Sequence, residues 1–74
     1  MSTSTGERLV YMANQIGTFF RSLGPEKVVP GVSEHIRKFW EPRMRTEILQ
    51  RLDAGGEGLK PDVKQAIERL KTMA

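Results

Sequence analysis

The side chains of this sequence that could act as a nucleophile and a base lie close together in one short segment. Ser33 stands two residues before His35, the one histidine of the 74-residue chain. On a helix that spacing directs the two side chains to different faces, so they do not form a nucleophile–base pair. His35 could change its charge near neutral pH, but a hydrogen-bonding position beside the core is favoured over a ligand or acid–base role.

The remaining reactive groups also lack a catalytic arrangement. Glu34, Glu41 and Glu47 fall on helix surfaces or at a helix end, where carboxylates are normally solvated. The glycine-rich stretch 55–58 lacks the Lys–Ser/Thr ending of a phosphate-binding loop and follows no strand. The absence of cysteine excludes thiolate nucleophiles, thiolate zinc sites and iron–sulfur ligation. We therefore predict that this chain is not itself an enzyme.

Length and composition limit the chain to one small domain. It has 74 residues with 38% hydrophobic side chains, and its 12 Lys and Arg exceed its 9 Asp and Glu by +3. This excess favours acidic partners, and an alternative function is therefore a small basic helical regulatory or nucleic-acid-associated protein. Acidic residues interleave with the basic ones, which argues against nucleic acid as the partner. The cations that this alternative would use are Arg37, Lys38, Arg43, Arg45 and Arg51.

No membrane span or signal peptide is predicted. No apolar run approaches the roughly 20 residues that cross a bilayer. Glu7 and Arg8 interrupt the position where the hydrophobic region of a signal peptide would begin. We expect a soluble, cytoplasmic chain.

The periodicity of apolar residues predicts helices along almost the whole chain. Residues 1–5 are predicted to be a flexible tail and residues 6–74 a single helical domain, with Ser4 and Glu7 as a capping box at the first helix. That helix is expected to end near Gly24, because glycine followed by proline is typical of helix ends. Its predicted core face contains Leu9, Met12, Ile16, Phe19, Phe20 and Leu23.

Prolines mark the start of the later helices. Pro30 is predicted to open the second helix, since an interior proline would remove a hydrogen bond and clash with the preceding turn. Pro42 and Pro61 are well placed as first residues of the third and fourth helices, with a glycine-rich stop from Gly55 between them. No strand alternation competes with this pattern, so the fold class is all-α, with about four short helices. The predicted core faces are Val29, Val32, Ile36, Phe39 and Trp40; then Met44, Ile48, Leu49 and Leu52; then Val63, Ala66, Ile67, Leu70 and Met73.

Residues 35–45 are the densest candidate for a binding surface, because they combine two aromatics, a helix junction and four cations. Trp and Arg dominate protein interfaces. Phe39 is expected in the core, and Trp40 fits a core or an interface position equally well. Arg43 and Arg45 diverge by about 200° around a helix, so at least one is expected to be available to a partner or to an internal carboxylate.

Several of these segments together resemble the delta subunit of NAD-dependent, molybdenum-containing formate dehydrogenase. The resemblance rests on the block Met12–Ala13–Asn14–Gln15–Ile16, on His35, and on Phe39–Trp40–Glu41–Pro42–Arg43–Met44–Arg45. The resemblance extends to Leu52–Asp53–Ala54–Gly55–Gly56. Pro30 departs from the family pattern, in which a helix-favouring residue is expected at this position. The resemblance implies a non-catalytic accessory subunit of a cytoplasmic complex that oxidises formate to carbon dioxide and reduces NAD.

The resemblance also implies which components surround this chain. The partner subunits would hold the molybdenum pterin, the iron–sulfur clusters and FMN, and this chain would hold no cofactor. Its partner would be the large catalytic subunit in a hetero-oligomer, with self-association possible for the isolated chain if its aromatics are exposed. No nucleic-acid or membrane partner is expected. The predicted partner-binding residues are Asn14, Gln15, His35, Trp40, Arg43 and Arg45.

Overall fold

The computed structural model describes residues 5–73 of the chain. Within this range the fold is all-α, with four helices and no strand, as the periodicity predicts. The helices are α1 (Thr5–Leu23), α2 (Val28–Phe39), α3 (Pro42–Asp53) and α4 (Pro61–Met73), and a 3₁₀ turn at Pro25–Lys27 leads into α2. Ser4 and most of the predicted tail lie outside the described residues, and α1 already includes Thr5.

One hydrophobic core is shared by all four helices. Helix α2 packs against both α1 and α4, and α3 closes the core from the side of α1 and α4. The fully buried residues are mainly β-branched, which pack densely because their side chains have few rotamers. Ser33, also buried, donates its hydroxyl to the Val29 carbonyl at 2.8 Å. The buried hydrophobic residues are Leu9, Val10, Ala13, Val28, Val32, Ile36, Trp40, Ile48, Leu52, Leu59, Val63, Ala66, Ile67 and Leu70.

Most helix ends lie where the prolines and glycines predict them. Pro42 and Pro61 are the first residues of α3 and α4. A backbone N–H at this position has no intrahelical acceptor, so proline, which lacks the N–H, loses no hydrogen bond there. Helix α1 ends one residue before Gly24, whose φ of 148° suits glycine. Helix α3 ends before the glycine-rich segment that contains Gly55 and Gly56, and both have positive φ.

The predicted start of the second helix is wrong. Pro30 is the third residue of α2 rather than its first. It is tolerated there because the first turn of a helix has no intrahelical acceptors for its N–H groups. The 3₁₀ turn at Pro25–Lys27 begins the helical path, and Val28 N donates to the Pro25 carbonyl.

Three residues that the sequence predicts in the core are exposed instead. Phe19, Leu23 and Phe39 have 59%, 57% and 71% of their surface accessible. On α1 the face that packs inward is centred on Ala13 and Gly17, so Phe19 and Leu23 turn outward, whereas Phe20 stays partly buried against the core. On α2 the core position at the helix end belongs to Trp40, and adjacent residues diverge by about 100°.

Two close approaches set the distances between the helices. A Cβ on Gly17 would overlap Val63 Cγ2 of α4, and a Cβ on Gly31 would overlap the ring of Phe20. Glycine at these positions therefore lets α1 lie closer to α4 and lets Phe20 cover α2. An ion pair between α1 and α4 accompanies this contact: Arg21 Nε and Nη2 donate to Asp62 Oδ2 and Oδ1 at 2.9 and 2.7 Å.

The substitution Gly17→Ala tests the close packing of α1 on α4. We expect it to lower the free energy of unfolding by about 1–3 kcal/mol, because Val63 must move to accept the new methyl group. This sign is opposite to that of helix propensity, which favours Ala over Gly. Urea unfolding followed by circular dichroism measures it. Gly6→Ala is the control, since it meets only the flexible end of Arg51; an unchanged or higher stability for Gly17→Ala would contradict the packing argument.

The Arg21–Asp62 pair predicts a specific dependence of stability on pH. The hydrogen bond from Arg21 holds the pKa of Asp62 below its ordinary value of 3.8. A carboxylate with a depressed folded-state pKa stabilises the fold above the unfolded-state pKa, and this contribution disappears as the pH falls through the folded-state value. We therefore expect Asp62→Asn to be less stable than the wild type at pH 7 and the two to converge between about pH 5 and pH 2. Parallel stability profiles in urea unfolding would contradict this expectation.

Candidate functional site

The main candidate site is an open groove between the end of α1 and one side of α2. We call it the aromatic groove. The volume of the groove is about 410 Å³. Its lining is mostly apolar, with three charged side chains among the nine residues. The lining residues are Phe20, Leu23, Lys27, Pro30, Gly31, Glu34, His35, Lys38 and Phe39.

The groove follows from the way in which α2 is buried. The core side of α2 carries Val28, Val32 and Ile36 at spacings of four residues. The groove residues Pro30, Gly31, Glu34, His35 and Lys38 recur at spacings of three and four on another side of α2, and Lys27 precedes them at the end of the 3₁₀ turn. Helices α1 and α4 cover the core side of α2, whereas among the other helices of the described residues only α1 contributes to the groove, through Phe20 and Leu23.

Large apolar side chains are exposed in and beside the groove. Leu23 and Phe39 line it, and Phe19 lies next to it with its ring edge-on to Phe20 at a centroid distance of 5.1 Å. The imidazole of His35 lies tilted against the ring of Phe39 at 4.9 Å. A cluster of exposed apolar groups on a small protein is typical of a surface that binds another protein.

The charges of the groove are not balanced within the chain. Glu34 accepts a hydrogen bond from Arg37 Nη2 at 2.9 Å, and this bond holds the pKa of Glu34 below its ordinary value. Lys38 lies close enough to lower that pKa further. Lys27 and Lys38 form no ion pair with any residue in the described part of the chain. The groove is therefore mostly apolar and has a net positive charge, because it is lined by Lys27, Lys38 and a single acidic residue, Glu34.

The residues predicted at the helix junction occupy three different environments. Trp40 lies in the core with 5% of its surface accessible. Arg45 is half-buried and donates Nη1 to the carbonyls of Trp40 and Arg37 at the end of α2, where helical carbonyls lack intrahelical donors. Arg43 is exposed. Of these three, only Arg43 has an exposed side chain.

The two polar residues predicted on α1 also differ from each other. Asn14 Nδ2 donates to the Gly58 carbonyl at 2.9 Å, and Asn14 Oδ1 accepts from Lys60 N at 3.1 Å. This side chain therefore holds the loop between α3 and α4 against α1. Gln15 is exposed beside it. Binding of a partner by these residues and by His35 stays a prediction.

Residues 5–73 contain no cluster of three or more His, Cys, Asp or Glu side chains that could hold a metal ion. Within the same range, no helix combines the length and the apolar character needed to cross a membrane.

The sequence predicts His35 as a partner-binding residue, and the structure places it in the groove, but the groove as a whole is not predicted. Leu23 and Phe39 are predicted in the core because apolar residues at helical spacing are usually buried. A signal was present at the end of α2, where Phe39 and Trp40 are adjacent and cannot both point inward on a helix. Which of the two turns outward depends on the packing of the other helices.

Fold and site together define a small all-helical protein whose most distinctive surface is apolar and open. The sequence model of the family described as "NADH-dependant formate dehydrogenase delta subunit FdsD" matches residues 8–67. The chain therefore belongs to the family of NADH-dependent formate dehydrogenase delta subunits, as the sequence motifs indicate. Neither a curated protein nor a solved structure matches it significantly.

The role of Asn14 can be tested separately from partner binding. We expect Asn14→Ala to lower the free energy of unfolding by about 1–2 kcal/mol, because the loop loses two hydrogen bonds that reach across the fold. Gln15→Ala is the matched control and should change stability by less than about 0.5 kcal/mol, since this side chain is exposed. Equal stability of the two variants in urea unfolding would show that Asn14 does not hold the loop.

Proposed function

We propose that this chain is a non-catalytic accessory subunit of a cytoplasmic NAD-dependent formate dehydrogenase and that it binds the large catalytic subunit through the aromatic groove. The observation that carries the proposal is the exposure of Leu23 and Phe39 in an apolar groove on a member of a complex-forming family. Burial of such side chains against a partner contributes favourable free energy because apolar surface leaves water.

We assign the redox chemistry of the complex to subunits other than this chain. The molybdenum pterin, iron–sulfur clusters and FMN implied by the family would be held by partner subunits. The composition of this chain supports that division, because it has no cysteine to ligate a cluster and a single histidine. Its contribution would be thermodynamic: a subunit that binds the assembled or cofactor-loaded state preferentially increases the population of that state by mass action.

Replacing exposed apolar residues of the groove tests this function without disturbing the core. We expect the double variant Leu23→Ser/Phe39→Ser to reduce the amount of this chain recovered with a tagged large catalytic subunit by about tenfold, because central apolar anchors dominate binding. Its helical circular dichroism should stay that of the wild type, since both side chains are exposed. Recovery is quantified by mass spectrometry of complexes purified from cells that express all subunits.

Tyr11→Ser is the matched control, because Tyr11 is 64% exposed but lies outside the groove. Its recovery should equal that of the wild type. Full recovery of the groove variant would contradict docking through the groove. Retention of nucleic acid by the purified chain, falling steeply with added salt, would instead favour the alternative of a nucleic-acid-associated protein.

A further inference from the structure

The shape of the aromatic groove limits what kind of segment can occupy it. Its lining runs from Lys27, the last residue of the 3₁₀ turn, along α2 to Lys38, with Phe20 and Leu23 of α1 along one side. An amphipathic helix presents apolar side chains at matching spacings of three and four residues and can lie along such a surface. Addition of a strand to a sheet edge is not available, since residues 5–73 contain no sheet.

The charges of the groove specify the polar part of that segment. Lys27 and Lys38 are eleven positions apart, which places their Cα atoms about 16 Å apart along a helix. The one acidic lining residue, Glu34, already pairs with Arg37. A partner segment with acidic residues near both ends of its apolar face would neutralise both lysines, whereas a basic segment would add repulsion.

The same charges argue against a second copy of this chain in the groove. In a two-fold symmetric dimer the same patch meets itself, so two copies of Lys27 and of Lys38 would approach one another. Glu34 is the one acidic residue of the groove, and it already interacts with Arg37 and Lys38 of its own chain, so two copies of it do not balance four lysines. Like charges placed together at an interface oppose association. The lysine charges therefore favour an acidic partner over a second copy of this chain as the occupant of the groove.

We propose that the aromatic groove binds an amphipathic helix of the large catalytic subunit whose apolar face is flanked by acidic residues about eleven positions apart, paired with Lys27 and Lys38. This inference rests on the proposed function and adds the chemistry of the docked segment. Leu23 and Phe39 contact the apolar face of that helix. The lysines fix its position along α2 and accelerate its association.

Charge reversal in the assembled complex tests this inference. We expect Lys27→Glu/Lys38→Glu to lower recovery with the tagged large subunit about tenfold at physiological salt, because both charge pairs become repulsive. The conservative variant Lys27→Arg/Lys38→Arg should be recovered like the wild type. The control Arg8→Glu/Lys60→Glu makes the same change in net charge at exposed residues outside the groove and should leave recovery unchanged.

A second measurement identifies the partner residues directly. A carbodiimide joins a lysine amine to a carboxylate in contact with it, and mass spectrometry of the cross-linked wild-type complex reads both positions. We expect Lys27 and Lys38 to be joined to Asp or Glu residues of one continuous segment of the large subunit, about eleven positions apart. The arginine variant should lose these links while the complex persists.

The outcomes separate this inference from the proposed function. If Lys27→Glu/Lys38→Glu is recovered normally while Leu23→Ser/Phe39→Ser is lost, docking through the groove stands and the acidic helix is wrong. Links from the two lysines to separate segments, or to a second copy of this chain, also overturn the inference. Recovery of both groove variants at the wild-type level overturns the proposed function as well.

Discussion

Burial of one side of α2 is the constraint on which the rest of this structure depends. Val28, Val32 and Ile36 are fully buried because α2 packs against both α1 and α4. A chain of 74 residues has too little apolar material for a second core, so it cannot also cover another side of the same helix. The open groove beside Phe39 is therefore a direct consequence of how the single core is built.

Two glycines determine how closely the other helices approach α2 and one another. Gly17 admits Val63 of α4, and Gly31 admits the ring of Phe20 from α1. With Gly17 facing inward, Phe19 and Leu23 near the end of α1 face solvent. The same contacts that make a dense core from small and β-branched residues thus leave Phe19 exposed at the surface.

Two of the polar residues predicted to bind a partner, Asn14 and Arg45, form hydrogen bonds within the fold. Asn14 holds the loop between α3 and α4, and Arg45 satisfies carbonyls at the end of α2. Such bonds matter because unpaired backbone groups are costly once they are removed from water. The aromatic groove with Lys27 and Lys38 is the surface through which we propose that this delta subunit binds another subunit.

The sequence by itself determined the fold class, the starts of α3 and α4 at Pro42 and Pro61, and the family. The fold class and helix starts follow from periodicity and proline geometry, which act locally, and the family follows from sequence motifs. The predicted helix start at Pro30 was wrong because proline is compatible with any position in the first turn of a helix, not only with its first residue. Only the tertiary structure decided which apolar residues face outward. Phe39 and Trp40 are nearly equal candidates for burial, and the choice between them depends on where α1 and α4 lie, which no local pattern encodes.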